Sequence, residues 1–263
     1  MVNHNMPTTT IAVAGKGGTG KTTFTSLLIK FLKSEREGYV LALDGDPSSN
    51  LNLALGLELP ETVGSIREEA LLEVKGGGGS TTGISKHDWF EYRVNRAVVE
   101  SAGLDLIAMG RPEGPGCYCA ANNIIRNIID QLGDDYDWVV IDNEAGMEHI
   151  SRQTTRHIDY LFVISDPTWR GLTAAEGIKQ LVKELSSQGT RVSKVFYVIN
   201  RVHGELPEIF QQKADEMELT PLFTLPADEQ INEFDITGKP LVELDDQSTI
   251  YQAVRALILE TGL

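Results

Sequence analysis

The segment that decides the fold of this chain reads Gly15-Lys16-Gly17-Gly18-Thr19-Gly20-Lys21-Thr22. It fits the pattern G-x-x-x-x-G-K-[ST], in which a glycine-rich loop turns its backbone N–H groups around phosphate. Residues 10–14 before it form an apolar run typical of a buried strand. After it, apolar side chains recur at helical spacing from Phe24 to Leu32. A strand, a glycine-rich loop and a helix in this order predict a site for a nucleoside triphosphate.

Each residue type in this loop has a chemical role in holding a triphosphate. Lys21 is expected to reach the β- and γ-phosphates, and the Thr22 hydroxyl is expected to ligate Mg²⁺. The glycines allow the backbone to approach closely, and the helix N-terminus adds partial positive charge. The predicted nucleotide-binding residues of the loop and first helical turn are Gly15, Lys16, Gly17, Gly18, Thr19, Gly20, Lys21, Thr22 and Thr23.

Short apolar runs recur along the chain at the spacing of alternating strands and helices. Besides residues 10–14, they are 40–43, 104–109, 138–141, 160–165, 194–200 and 221–225. Because the runs are continuously apolar rather than alternating, they predict parallel strands covered on both faces. The expected fold is α/β, a doubly wound and mostly parallel sheet of about seven strands, with ligands at the carboxyl ends of the strands.

The segments between and after these runs predict helices and one loop. Helical spacing of apolar residues occurs over 124–132, 174–185 and 250–258. The last of these has a single basic residue, so a helix packed on the body fits better than a helix on a membrane surface. Residues 75–80 read Lys-Gly-Gly-Gly-Gly-Ser, the composition of a flexible loop or of an engineered linker. We expect one domain over residues 10–263, preceded by a flexible tail of residues 1–9.

Composition narrows the classes of function. The 263 residues carry a formal net charge of −15 and no run of Lys or Arg, so we expect no nucleic-acid partner. No apolar run approaches the roughly 20 residues that span a bilayer, and the polar start lacks the apolar core of a secretory signal. We therefore expect no membrane partner and a cytoplasmic location, where the two cysteines, Cys117 and Cys119, stay reduced.

Acidic residues follow two of the predicted strands. Asp142 comes directly after the run 138–141, and Asp44 and Asp46 follow the run 40–43. A single aspartate at a strand end is usually a turn residue or a helix cap. Here two strand ends converge on one phosphate loop, which favours a role in phosphate chemistry. We assign Thr22, Asp46 and Asp142 to Mg²⁺.

The loop resembles the deviant Walker A motif, in which a lysine follows the first glycine. That motif defines the family of nitrogenase iron protein, the septum-site and chromosome-partition ATPases, and the arsenite and tail-anchored-protein ATPases. The resemblance implies that Lys16 crosses a dimer interface to the nucleotide of the partner. It also implies that Asp46, which precedes Pro47 as in the first switch of the family, orients the attacking water, with Asp44 as second choice. The expected catalytic residues are then Lys16, Lys21, Asp46 and Asp44.

The resemblance extends over nearly the whole chain. Asn200, in the segment Val-Ile-Asn-Arg, matches the asparagine that reads adenine in the family, and we add its neighbour Arg201 to the nucleotide site. Pro226 and Asp228 match the segment that closes over the base. Residues 143–146, after Asp142, are expected to move when the γ-phosphate is lost.

Two local segments resemble one branch of the family. Residues 142–149 read Asp-Asn-Glu-Ala-Gly-Met-Glu-His and residues 116–119 read Gly-Cys-Tyr-Cys. Both are similar to the accessory ATPases that mature nickel-containing carbon monoxide dehydrogenase and its relative acetyl-CoA synthase. The resemblance implies a homodimer that uses ATP and Mg²⁺, binds Ni²⁺ or Zn²⁺ through Cys117 and Cys119, and serves one of those enzymes. Glu144, Glu148 and His149 are given no role.

A Cys-x-Cys pair suits a metal ion shared by two chains. Zn²⁺ and Ni²⁺ prefer four ligands, and a two-fold axis doubles two thiolates to four. The segment Gly114-Pro115-Gly116 predicts an exposed turn, and a helix from Ala120 would favour the thiolate form at its N-terminus. Three alternatives stay open: two buried inert cysteines, an iron–sulfur reductase of the nitrogenase iron protein type, and a partition or positioning ATPase.

Overall fold

The computed structural model describes residues 7–66, 68–69, 96–110, 135–144, 157–187 and 189–263, and every structural statement below concerns these residues. The described strands are β1 (Thr9–Gly15), β2 (Val40–Asp44), β3 (Val99–Ser101), β4 (Leu104–Ala108), β5 (Trp138–Asp142), β6 (His157–Ser165), β7 (Arg191–Val202) and β8 (Leu222–Pro226). The described helices are α1 (Lys21–Glu35), α2 (Leu51–Leu55), α3 (Trp169–Ser187), α4 (Glu208–Glu216), α5 (Glu229–Thr237) and α6 (Thr249–Thr261), with a 3₁₀ turn at Leu241–Glu243.

The strands form one sheet in the order β3-β4-β2-β5-β1-β6-β7-β8, and every neighbouring pair is parallel except β3 with β4. The α/β fold and its mostly parallel sheet are therefore confirmed. The seven predicted strands are all present, and β3 is the eighth. It was missed because it is a three-residue antiparallel strand joined to β4 by a tight turn at Gly103.

Both faces of the sheet are covered, which explains the continuous apolar runs. Alternate residues of β1 point to opposite faces: Ile11 and Val13 belong to one buried cluster, and Ala12 and Ala14 to the other. The first cluster includes the buried face of α1 and residues of α6, and the second includes residues of α3 and α4. The predicted helix at 250–258 is thus packed on the body as α6, with Val254 and Ile258 fully buried.

The described chain begins inside the segment predicted as a tail. β1 starts at Thr9, one residue before the predicted boundary, and the Thr8 hydroxyl donates a 2.8 Å hydrogen bond to the carbonyl of Tyr136. The predicted helix at 124–132 and the glycine-rich stretch at 75–80 lie outside the described residues. Within the described residues, no helix is both long and apolar enough to cross a membrane.

The strand order explains why distant acidic residues meet the glycine-rich loop. β1 lies between β5 and β6, and β2 lies on the other side of β5. In the register of β2 with β5, Asp44 is the direct partner of Asp142. Because these strands are parallel, their carboxyl ends share one edge of the sheet with the loop that follows β1.

Candidate active site

The loop after β1 requires glycine at two positions. Gly15 has a φ of 152°, and a Cβ there would lie 2.1 Å from the carbonyl oxygen of Ile164. Gly20 has a φ of 91°, and a Cβ there would lie 2.4 Å from Nδ2 of Asn200. Both backbone conformations are ones that residues with a side chain rarely adopt, and both positions lack the room for one. The sequence motif therefore has a steric basis in this fold.

Helix α1 offers its N-terminus to an anion. It begins at Lys21, directly after Gly20, and no side chain caps its first turn. The first turn also carries no acidic residue. The first N–H groups of a helix have no partner within the helix, and the helix dipole places partial positive charge there. The loop and α1 together form an arrangement suited to phosphate.

Lys21 is a buried cation held against the loop. Its ammonium group donates a 3.4 Å hydrogen bond to the carbonyl of Lys16, and only 8% of the residue is exposed. Burial lowers the pKa of Lys21, while the carboxylates of Asp142, Asp46 and Glu144 act in the opposite direction. The side chain of Lys16, in contrast, is exposed. Lys21 thus lies buried against the loop and lines the cavity beside it.

Thr22 and Asp142, both expected from the sequence to bind Mg²⁺, are hydrogen-bonded to each other. The Thr22 hydroxyl donates a 2.7 Å hydrogen bond to Oδ2 of Asp142, and the other oxygen, Oδ1, is buried with no hydrogen-bond partner among the described residues. Burial raises the pKa of Asp142 to about 7; the Thr22 bond and Lys21 oppose this shift, and Asp44 adds to it. A carboxylate oxygen buried without a partner beside a hydroxyl fits a hard cation such as Mg²⁺, which would neutralise phosphate charge here.

Asp44 and Asp46 have different surroundings. Both oxygens of Asp44 accept backbone hydrogen bonds of 3.0 Å, from the N–H groups of Asp46 and Leu51. Burial raises the pKa of Asp44 to about 6, and these bonds oppose the rise. Asp46 accepts a 2.8 Å hydrogen bond from the N–H of Ser48 through one oxygen and lines the cavity beside the loop. Asp44 therefore shapes the segment that presents Asp46.

The cavity beside the loop has a volume of about 340 Å³. It is lined by Gly17, Gly18, Gly20, Lys21, Thr22, Asp46, Asn50, Glu144 and Arg201. Two of these residues, Asn50 and Glu144, were not predicted as site residues. Their positions gave a weak signal, since Asn50 lies four residues after Asp46 and Glu144 two residues after Asp142.

The residues predicted to contact the base occupy two places. Asn200 and Arg201 lie against the loop and donate to the carbonyls of Thr19 and Gly18. Pro226 and Asp228 are not among the residues that line the described cavity. Asp228 instead accepts hydrogen bonds from the N–H groups of Gln230 at 2.9 Å and Ile250 at 3.1 Å, near the starts of α5 and α6. Thr23 lies in the first turn of α1 but does not line the cavity.

The predicted nickel or zinc site lies outside the described residues. Cys117, Cys119, Glu148 and His149 all belong to segments that the structure does not describe. Among the residues it does describe, no group of three or more His, Cys, Asp or Glu side chains is arranged to hold a metal ion.

Comparison with known proteins places this site in a family. Residues 10–241 match the CobQ/CobB/MinD/ParA nucleotide binding domain. The chain is 43% identical over 247 residues to an uncharacterized ATP-binding protein of Methanocaldococcus jannaschii, covering 94% of this chain and 96% of the relative. It is 30% identical over 246 residues to the carbon monoxide dehydrogenase accessory protein CooC of Rhodospirillum rubrum, covering 89% of each.

A solved structure supports the fold. The septum site-determining protein MinD of Pyrococcus horikoshii, complexed with Mg-ADP, superposes with a TM-score of 0.66 at 23% identity, covering 97% of this chain and 96% of that one. The phosphate loop, the Thr22–Asp142 pair and the family match agree with one another. The chain belongs to the CobQ/CobB/MinD/ParA family of nucleotide-binding proteins and is a P-loop ATPase.

Proposed function

We propose that this ATPase is a nucleotide-switched homodimer that delivers nickel to carbon monoxide dehydrogenase, or to the related acetyl-CoA synthase, during maturation of the enzyme. The observation that carries the proposal is the pair Cys117 and Cys119 in a chain that is 30% identical to a carbon monoxide dehydrogenase accessory protein over 89% of its length. Nickel is the cargo, and ATP with Mg²⁺ drives its delivery. The proposal places the carrier in the cytoplasm, where thiols stay reduced.

The acidic wall of the cavity supports a nucleotide switch. Asp46 comes from the segment after β2, and Glu144 from the segment after β5. Both carboxylates are near enough to Lys21 to affect its pKa. A γ-phosphate bound at Lys21 would repel both groups, and Mg²⁺ would attract them. Because hydrolysis removes that charge, the two segments respond to the state of the nucleotide.

The exposed lysine of the loop supports a dimeric site. Lys16 belongs to the phosphate loop and is exposed, but it does not line the cavity of its own chain. Among the described residues that line this cavity, the basic ones are Lys21 and Arg201. A second protomer facing this edge of the sheet would bring its own Lys16 toward the nucleotide. A two-fold dimer would also have four cysteine sulfurs, two from each chain, which is the number that a single Ni²⁺ or Zn²⁺ ion needs.

Activation of the client enzyme tests nickel delivery. We would load the purified protein with one equivalent of Ni²⁺, remove free metal, add nickel-free carbon monoxide dehydrogenase from the same organism, and measure CO oxidation with ATP or with ADP. The proposal predicts activation with ATP and little with ADP. The double variant Cys117→Ala/Cys119→Ala should not activate the enzyme, whereas Lys33→Ala, which changes an exposed lysine of α1, should act as the wild type does.

Two results would count against the proposal. Equal activation by the double cysteine variant would show that the cysteines do not carry the nickel. Iron and acid-labile sulfide in the ratio of a [4Fe–4S] cluster would instead favour the iron–sulfur reductase, the main alternative.

A further inference from the structure

Strand β7 contains a bulge at the point where it passes the phosphate loop. Ile199 pairs with Thr224 of β8 and Val202 pairs with Pro226, so three steps along β7 match two steps along β8. The extra residue falls in the pair Asn200-Arg201. Arg201 has a φ of 59°, in the left-handed region that arginine rarely adopts. Successive side chains of a regular strand point to opposite faces, and a bulge changes that alternation.

The bulge allows both side chains to reach neighbouring carbonyls of the loop. Asn200 Nδ2 donates a 2.9 Å hydrogen bond to the carbonyl of Thr19, and Arg201 Nη1 donates a 2.9 Å hydrogen bond to the carbonyl of Gly18. The Asn200 contact is buried, and Arg201 also lines the cavity. Two adjacent peptide groups of the loop are therefore held by two adjacent residues of β7.

Holding a carbonyl also fixes the N–H of the same peptide group. In a planar trans peptide, the C=O and the N–H point in opposite directions. Fixing the carbonyls of Gly18 and Thr19 toward β7 thus turns the N–H groups of Thr19 and Gly20 away from β7. The N–H of Thr19 donates a 3.4 Å hydrogen bond within the loop, to the carbonyl of Lys16, so the hold of β7 acts on an anion through the N–H of Gly20. The N–H groups of a phosphate loop must be aimed at the anion before it binds, since otherwise part of the binding energy is lost in ordering them.

We propose that Asn200 and Arg201 form a latch that orients the phosphate loop by holding the carbonyls of Thr19 and Gly18, and that this latch sets the affinity for the triphosphate. Both are positioning residues. The latch depends on the nucleotide site alone, so it is independent of which cargo or client the ATPase serves.

The surroundings of Asn200 support a positioning role. Its Nδ2 is bonded to the loop and its Oδ1 accepts a 2.9 Å hydrogen bond from the N–H of Arg201. Only 7% of the residue is exposed, and it is not among the residues that line the described cavity. A change at Asn200 therefore acts on a bound phosphate through the loop.

The test compares a nucleotide with a ligand that has no base. We would measure the Kd of MgATP by calorimetry, and the Kd of magnesium tripolyphosphate by competition, for the wild type, Asn200→Ala and Arg201→Asn. Asparagine tolerates the left-handed backbone at position 201 and removes the guanidinium, so Arg201→Asn should keep the fold. Arg191→Asn, at the exposed far end of the same strand, is the matched control.

The latch predicts that both ligands lose affinity by the same factor. We expect about tenfold weaker binding in Arg201→Asn, about fivefold in Asn200→Ala, and no change in Arg191→Asn. Arg201→Lys, which can still donate to the Gly18 carbonyl, should recover part of the affinity. For MgATP hydrolysis, KM should rise with little change in kcat, and melting temperatures confirm that each variant is folded.

Two outcomes would overturn the latch. If Asn200→Ala weakens MgATP but leaves tripolyphosphate unchanged, then Asn200 reads the base. If Arg201→Asn binds both ligands as the wild type does, then the loop holds its orientation without β7. Neither outcome depends on nickel, so failure of the latch is distinguishable from failure of nickel delivery.

Discussion

At the scale of single residues, burial raises the pKa of two carboxyl groups of the site, so that they ionise at a higher pH than usual. Asp142 has a pKa of about 7 and Asp44 a pKa of about 6, both raised mainly by burial. Asp142 must be ionised to ligate Mg²⁺, because a protonated carboxyl is a poor ligand for a hard cation. Binding of the metal and loss of a proton at Asp142 are therefore linked.

This linkage predicts release of a proton when magnesium nucleotide binds. At pH 6.5, a group with a pKa of about 7 is about three-quarters protonated, so binding of MgADP should release between half a proton and one proton per site. The release should fade above pH 8. Calorimetry in buffers that differ in ionisation enthalpy measures the number of protons. Asp142→Asn should abolish the release together with Mg²⁺ dependence; release that persists in this variant would assign the proton to another group.

The same burial predicts how stability depends on pH without nucleotide. A carboxyl whose folded pKa is raised above its unfolded value of 3.8 favours the fold fully below about pH 4, and that contribution is lost as pH rises through about 7. Asp142→Asn cannot ionise, so it should increase the free energy of unfolding at pH 8, by on the order of 4 kcal/mol, and change it little at pH 4. Urea denaturation at both pH values checks this. A stability gain that is equal at the two values would contradict the assignment.

At the scale of elements, the sequence predicted the strands well because buried parallel strands read as continuous apolar runs. The seven runs all became strands, although β6 begins three residues before the predicted run and β7 extends beyond both ends of its run. The ends of a strand are set by its pairing with neighbouring strands, and the pattern of apolar residues carries no information about that pairing. β3 has no apolar run by which it could be predicted. Its three residues, Val99, Glu100 and Ser101, pair with β4 at the edge of the sheet.

The site was predictable where a local pattern defines it. The loop, Thr22 and Asp142 follow from spacing and strand position. The latch does not, because it depends on a bulge and on the left-handed backbone of Arg201, which no pattern in the segment Val-Ile-Asn-Arg reveals. The resemblance assigned Asn200 to the base and gave no indication that its side chain is also bonded to the loop.

A variant of Asp228 separates two candidate roles of this residue, capping of two helices and closure over the base. Its two oxygens accept hydrogen bonds from the N–H groups of Gln230 and Ile250, so one side chain joins the starts of α5 and α6. Loss of an N-cap typically costs about 1 kcal/mol, so Asp228→Ala should lower the free energy of unfolding by about 2 kcal/mol. If Asp228 also closes over the base, Asp228→Ala should weaken the binding of MgATP as well. Unchanged stability with a large loss of MgATP affinity would favour the base-closing role alone.

At the scale of the whole molecule, the proposed dimer is tested by mixing two inactive variants. Lys21→Ala should lose hydrolysis because it removes the buried phosphate-binding cation. Lys16→Ala should bind nucleotide but lose turnover, since its partner lacks the crossing lysine. In a mixed dimer, the Lys16→Ala protomer keeps Lys21 and receives Lys16 from its partner. One of the two sites is then complete.

Mixing should therefore restore hydrolysis in a concentration-dependent manner. At equal amounts, random pairing makes half of the dimers mixed, each with one complete site, so activity should approach about a quarter of the wild-type value. Exposure of Lys16 at the loop is the structural basis of this prediction. Full turnover of Lys16→Ala alone, or mixtures that stay inactive while a dimer forms, would remove the cross-dimer role.

We propose that two copies of this ATPase share one metal ion under control of the nucleotide. The most direct measurement is nickel titration of the purified protein in ADP and in ATP, with mass and metal content determined together, for the wild type and for Cys117→Ala/Cys119→Ala. We predict one Ni²⁺ per dimer, an affinity that differs between the two nucleotide states, and no binding by the double variant. Identical affinity in ADP and ATP, or binding that survives without the cysteines, would contradict the claim.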